Sequence, residues 1–377
     1  CQELVKQNVL DDEFLDIVIK KMSYIPFEQQ NNSLIADYCS ALQDDAYKRR
    51  IIDKFLLNEK IAFHAIHLTR SLDLVYDDLI KLKKVVDIDA KFVVSLQYLN
   101  LKSLKNHEFI EFVNWVKSIE PYGPWVAIDL CTGYFEEGNE IEQEMITFIK
   151  AILKQNGILK GEYIHVTFAM NQYVQLINKI EQSTDLDDLV VFLTNEIIEL
   201  SKEMSYYQEN QIVEILNILL TKYWNESWGI LGKKILEHDF YAWYNLKKLL
   251  QRVKVFEDDK LIQWMDQNPK DAPQKTVDFV NLTVNNGGKN SWAPLVHAML
   301  QRYHDNEQFL LNLGSQFNSY SWSGSLVPLL ESRIELLNEL IDHEKESVRS
   351  FAGEYKKYFE EQIKIEKRRD QNYGLEF

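Results

Sequence analysis

Proline is almost missing from the interior of this chain: none stands between Pro26 and Pro121 or between Pro124 and Pro269, and the whole sequence holds 7. Glycine is scarce as well, at 13. All-β folds need such residues at their many turns, so the two shortages favour long helical stretches and an all-α class. Cysteine occurs three times, as Cys1, Cys39 and Cys131, with an odd count and no CxxC pair. That pattern argues against a disulfide framework and fits a reducing, cytoplasmic setting. No apolar run reaches the roughly 18 residues of a spanning helix, so no membrane segment is expected. Positive charge is in deficit, with 42 Lys and Arg against 58 Asp and Glu, a net charge of −16 and a pI near 5.1. Such a balance disfavours general attraction to phosphate backbones or anionic membranes, although a local basic patch can exist within it.

What the sequence does have is burial capacity, with 46 % hydrophobic and 12 % aromatic residues over 377 positions. That length exceeds the size at which one compact core stops growing, which implies two domains or an elongated repeat array. Apolar residues recur at three- and four-residue spacing, the period of a helix with one buried stripe. In the segment 186–205 the stripe is Leu189, Phe192, Leu193, Ile197 and Leu200, preceded by capping oxygens at Ser183, Thr184 and Asp185. In 209–224 it is Ile212, Ile215, Leu216, Leu219 and Leu220. The same spacing predicts helices over 11–22, 45–57, 72–83, 107–119, 162–180, 240–253, 272–284, 292–303 and 326–341. Short breaks such as SIEPYGP, KQNGILKGE, QNPKDAP and NNGGKN separate them, so neighbouring helices are expected to lie antiparallel. About twenty helices in line call for stacked hairpins that bury a continuous seam, which predicts a right-handed superhelical solenoid. We divide it at the KQNGILKGE break into an N-terminal hairpin array, 1–156, and a C-terminal array, 157–377, continuous with the first.

The first residue is cysteine rather than methionine. A mature bacterial lipoprotein also begins with cysteine, but a flexible small-residue tether usually follows, whereas here the sequence is charged and helix-like. The reading adopted is a piece of a longer polypeptide.

The segment 331–363, ESRIELLNELIDHEKESVRSFAGEYKKYFEEQI, carries Ile334, Leu336, Leu337, Leu340 and Ile341, then Asp342, then Val348, Arg349 and Ala352. It resembles a HEAT repeat, in which a leucine-rich helix runs through an acidic turn into a second helix opened by Val-Arg. Asp342 and Val348 stand one residue further apart than the common pattern, which bears on the aspartate–arginine ladder between neighbouring repeats. Independently, Val348, Ala352, Tyr355, Phe359 and Ile363 form one helical stripe. A looser echo places Trp292 ahead of Pro294 and Trp322 ahead of Pro328, thirty residues apart. The tail as a whole, with its SWSGS turn, leucine hairpin, DHEKESVRSFA and charged final helix, resembles the C-terminal arrays of bacterial STAND-type NTPases and related anti-phage defence proteins. That resemblance implies a sensor for foreign proteins.

Each candidate for chemistry has a plainer alternative. Ser321, Ser323 and Ser325 stand near Gly324, but a nucleophile elbow needs a second glycine and a preceding strand, so a joint between helices with Trp322 plugging a gap is expected. Gly314, just upstream, reads as a helix C-cap. NNGGKNS, 285–291, fails the phosphate-loop pattern because Thr283 stands where glycine is required and Asn290 follows Lys289; it reads as a turn between helices. His64 and His67 share a helix face without a third ligand, and His297 and His304 have none either, so no metal and no cofactor are expected. The acidic clusters 134–144 and 186–188 read as solvated helix starts.

The aromatic groups carry more interest. Trp224 and Trp228 stand at i and i+4, while Tyr241, Trp243 and their neighbours cannot all face one way; with Trp322 they are the candidate partner-binding residues. Asp342, Val348, Arg349 and Ala352 are the candidate repeat-structural residues. Lys364, Lys367, Arg368 and Arg369 could touch nucleic acid, yet Glu360, Glu361, Glu366 and Asp370 interleave with them. The expectation is a non-enzymatic protein-binding scaffold or sensor segment. Its partner would be another protein with a basic patch, or other domains of the same polypeptide, with no membrane role. The alternative is a HEAT-like nucleic-acid-binding or DNA-repair protein; an unfamiliar helical enzyme is a third reading.

Overall fold

The computed structural model describes residues 12–31, 33–136, 142–155, 158–160, 166–202, 206–237 and 239–373. Among these the chain forms 19 α-helices, four short 3-10 segments and one β-hairpin, so the fold is all-α apart from that ribbon. It divides into two compact units, Cys1–Phe192 and Leu193–Phe377. The division lies within helix 187–200, whereas the break at 156/157 lies outside the described residues.

The first unit contains α1 (Asp12–Met22), α2 (Ser33–Ala41), α3 (Asp45–Leu56), α4 (His64–Leu68), α5 (Tyr76–Ile88), α6 (Asn106–Lys117), α7 (Gly123–Glu136), α8 (Gln143–Leu153), α9 (Val166–Glu181) and the start of α10 (Asp187–Leu200). Local chemistry sets the starts. The Asp44 carboxylate accepts from the amides of Ala46 and Tyr47, satisfying free N–H groups at the head of α3. Asp78 accepts from the Val75 amide at 3.2 Å and is gripped by Arg49 Nε at 3.0 and 3.1 Å, so one buried carboxylate caps α5 and ties it to α3. Phe109, Phe112, Val113 and Val116 are the buried stripe of α6, which packs on α7. Across that contact Phe109 stacks on Tyr134 at 4.1 Å, and the tyrosine hydroxyl donates to Asn106 Oδ1 at 2.9 Å.

The second unit holds the rest of α10, then α11 (Tyr206–Lys222), α12 (Trp224–Leu236), α13 (Phe240–Leu250), α14 (Asp258–Gln267), α15 (Ala272–Thr276), β1 (Thr283–Asn286), β2 (Lys289–Trp292), α16 (Pro294–Tyr303), α17 (Glu307–Phe317), α18 (Val327–Asn338) and α19 (Glu346–Tyr373). One apolar core runs through it from Ile198 to Phe359.

Four expectations need correction here. The helix expected over 272–284 ends at Thr276, and the chain then enters an antiparallel hairpin pairing Thr283 with Trp292 and Asn286 with Lys289. Gly287 and Gly288 take φ of 63° and 93°, the left-handed values of a two-residue turn that glycine adopts without strain. NNGGKNS is therefore a hairpin tip rather than a link between helices. Gly314 is not a cap either: α17 continues to Phe317, and a Cβ at Gly314 would come within 1.9 Å of the Tyr355 hydroxyl oxygen. The glycine lets α19 approach α17. Trp322 plugs nothing, being 47 % exposed with its ring edge on Tyr320 at 5.6 Å.

The 318–333 stretch does act as a joint. Gly324 turns the chain with φ 81°, and the Ser325 hydroxyl donates to Asp370 Oδ2 at 2.6 Å while accepting from the Val327 amide at 3.1 Å. One serine thus caps α18 and holds the end of α19. These two helices pack as a hairpin with Val348 and Ala352 buried between them. Asp342 is exposed, and Arg349 Nη1 donates to the carbonyls of His343 and Glu344 at 2.6 and 3.0 Å, closing its own turn.

Candidate functional site

Helix α12 reads WNESWGILGKKIL. Helical spacing sets Asn225, Gly229, Gly232, Lys233 and Leu236 along one side, and Lys260, Gln263, Trp264 and Gln267 along one side of α14. These two faces wall a cleft of about 350 Å³. Trp224 and Trp228 stack at 4.6 Å with 14° between planes, and Trp228 meets Trp264 edge-on at 5.2 Å. Each such pair contributes about 1 kcal/mol beyond the area it buries. Phe256 and Phe279 close the other side of Trp228, at 5.8 and 6.2 Å.

The two glycines of α12 do different things. A Cβ at Gly232 would stand 2.7 Å from Trp264 Nε1 and 3.4 Å from Trp228 Nε1, so no larger residue fits beside the indoles. A Cβ at Gly229 would meet nothing within 4 Å. No packing need explains Gly229, yet glycine inside a helix costs about 1 kcal/mol relative to alanine. Gly229 is exposed and lies in the wall of the cleft.

The electrostatics of the cleft run against those of the chain. Its charged lining residues, among those described, are Lys233 and Lys260, and no carboxylate lines it. Lys260 Nζ lies 5.7 Å from the centre of the Trp224 ring and is held by Glu257 at 2.9 Å. Trp228 is 3 % exposed, and its indole N–H has no hydrogen-bond partner among the described residues. Leaving such a donor unpaired costs about 1–3 kcal/mol. The charge of the cleft is therefore positive, and its neutral polar lining is made by Asn225, Gln263, Gln267 and Asn268.

The cleft gathers Trp224 and Trp228 of the sequence candidates. Trp243 lies elsewhere: it is buried, its indole donates to Asp278 Oδ2 at 3.2 Å, and Lys275 covers its ring at 4.8 Å. The Tyr241 side chain lies outside the described residues, and Trp322 stands on the exposed joint before α18. Sequence reasoning missed Trp264, Lys233 and Lys260. A signal existed in WGILGKK, where two glycines interrupt an otherwise helical pattern beside a tryptophan.

Groups suited to catalysis are scattered. His64 is 2 % exposed, its Nε2 donates to Gln30 Oε1 at 3.0 Å, and burial pushes its pKa down to about 4. Cys39 and Cys131 are buried, and burial raises both thiols, Cys39 to about 12. Asp129 on α7 is raised to about 7 by burial alone. Among the described residues no three of His, Cys, Asp and Glu gather where they could hold a metal ion. Among the described residues, two larger cavities lie within single units. One of about 850 Å³ in the second unit mixes Glu214 and Asp258 with Arg252 and Lys254, and its arginine is tied to Glu209 at 2.6 Å. One of about 520 Å³ in the first unit is lined by Phe27, Phe63 and Phe92. Neither combines unpaired donors with a single sign of charge.

No known protein family and no characterised protein matches this chain. Among the described residues no helix is long and apolar enough to cross a membrane.

Proposed function

We propose that this chain is a protein-binding helical-repeat segment of a larger protein, a HEAT-like right-handed solenoid that serves as scaffold or sensor and catalyses no reaction itself. A sensor array of an anti-phage defence protein is the specific setting that its C-terminal sequence pattern suggests. The observation that carries the binding role is the cleft between α12 and α14, where stacked tryptophans meet two lysines and no carboxylate among the described residues. Local packing supports a repeat character within each unit, since α6 lies on α7, α11 on α12 and α18 on α19. The net charge of −16 favours a partner that presents a basic patch around its point of contact. The cations at the end of α19 weigh against the nucleic-acid alternative, because Lys367 pairs with Glu331 at 3.2 Å and Arg369 with Glu366 at 2.7 Å.

The test is binding by the purified chain to a purified partner, found first by crosslinking and mass spectrometry. Truncating Trp224 or filling the cleft with Gly229→Leu should weaken that binding about tenfold or more. A partner bound equally by both variants, or salt-sensitive duplex binding in its place, would overturn the assignment.

A further inference from the structure

We propose that a pocket beside α18 binds a carboxylate carried on a compact apolar body, with the Arg333 guanidinium as its anchor. The pocket lies in the second unit and shares no lining residue with the α12–α14 cleft. The proposal does not rest on the protein-binding reading.

The anchor is a cation left without its usual partner. Among the described residues the half-buried arginines are Arg49, Arg252, Arg333 and Arg369. Arg49 holds Asp78 at 3.0 Å, Arg252 holds Glu209 at 2.6 Å and Arg369 holds Glu366 at 2.7 Å. Arg333 holds no carboxylate, and no hydrogen bond engages it among the described residues. Its Cζ lies instead 4.5 Å from the centre of the Phe317 ring and 5.0 Å from that of Tyr320. Ring faces attract the cation but offer its N–H groups no oxygen. Burial pulls the Arg333 pKa down, and the charge interaction set against this is with Tyr320, whose own pKa burial raises. The tyrosine is therefore neutral at pH 7 and is no counter-ion. Carboxylates are in excess in this chain, at 58 against 42 Lys and Arg, yet none is folded against this arginine.

The guanidinium can be reached. Its nitrogens are not among the fully buried polar atoms, and the side chain lines a pocket of about 310 Å³ in which it is the charged group among the described residues. Two hydroxyls line the same pocket. Ser332 Oγ accepts from Asn290 Nδ2 at 3.3 Å and keeps its own proton to donate, and Thr283 supplies the second. Leu282, Leu329 and Leu336 complete an apolar wall.

This chemistry selects a carboxylate over phosphate. A planar guanidinium matches a flat, singly charged oxygen pair with two parallel bonds, whereas a doubly charged phosphate calls for further cations or a cradle of backbone amides. The leucines suit an aliphatic or aromatic body, and the volume is at the small end of ligand pockets, so that body is compact.

The experiment is a titration of the full chain, labelled with ¹⁵N-arginine, followed through the Arg333 Nε–H cross-peak at constant ionic strength. The probes are hexanoate, hexanamide, the peptide acetyl-Gly-Gly-Leu with a free C-terminus, its amide and inorganic phosphate. Hexanoate should shift the cross-peak saturably, at a concentration about tenfold lower than hexanamide needs. Hexanoate acting below the free-ended peptide supports the site with a free organic acid as ligand; the reverse order supports it with a peptide C-terminus. Arg333→Lys, which keeps the charge but loses the fork, should weaken hexanoate binding about tenfold by calorimetry, with circular dichroism checking the fold. Ser332→Ala should weaken it about threefold and carries the test should the lysine variant fail to fold. Equal action by acid and amide, no shift of the Arg333 cross-peak, saturation by phosphate at lower concentration, or binding unchanged in a folded Arg333→Lys would each overturn the proposal.

Discussion

Asp129 is half-buried, and among the described residues its Oδ1 is buried without a hydrogen-bond partner while burial alone raises its pKa. Its folded pKa of about 7 lies above the ordinary 3.8, so the native state keeps a proton that the unfolded chain gives up. Stability is therefore lost as pH rises from about 4 to 7 and stays low above that. Asp129→Asn should raise stability by about 2 kcal/mol at pH 8 and leave it unchanged at pH 4, read from urea midpoints across pH. His64 has the opposite sign. Its pKa is depressed to about 4, so its contribution is present above about 6.5 and is lost as pH falls toward 4. His64→Gln should flatten that acid limb in the same urea series. The buried thiols give a third check at this scale: Cys39 and Cys131 should resist a thiol reagent in the native chain and react once it is unfolded in denaturant.

Helix pairs in this chain are set by where glycine lets them touch. Gly314→Ala forces a methyl into the Tyr355 ring and should destabilise the chain by about 1–3 kcal/mol, with Tyr355→Leu restoring part of the loss. Gly232→Ala should cost a similar amount through the two indoles, whereas Gly229→Ala should stabilise by about 0.5–1 kcal/mol, all measured by thermal or urea unfolding. Most helices were legible from sequence, as at Asp45–Leu56, Pro294–Tyr303 and Val327–Asn338, because their apolar stripes are fixed by burial on one side. The stretch after Thr276 was not, for a specific reason. Val277, Val280 and Val284 fit helical spacing, while Val280, Leu282 and Val284 fit a strand just as well. The Gly-Gly pair decides for the hairpin, since both residues take positive φ. Gly314 misled in the same way, because a glycine near a helix end looks like a cap until the partner helix that needs the gap is seen.

Across the whole chain, the core of the second unit runs from Ile198 to Phe359 within that unit. A fragment starting at Thr184, which keeps α10 entire, should fold with a cooperative thermal transition followed by far-UV circular dichroism, and should retain the cleft. A featureless melt would show that this core needs more of the chain. The cleft was half legible from sequence. Trp224 and Trp228 announce themselves by their spacing, but Trp264 joins them from a helix 36 positions beyond Trp228, and no local pattern records that meeting. The hairpin carries a consequence of another kind. The bond from the Ala293 amide to the Leu282 carbonyl at 2.9 Å sets the alternation of its ladder, so Thr283 and Asn285 direct their main-chain groups away from β2. Among the described residues that rim is a short comb of vacant donors and acceptors, the kind of margin onto which a foreign strand zips. With strands of four residues, a stranger gains two rungs at most, too few to seed fibres but enough to align an extended tail.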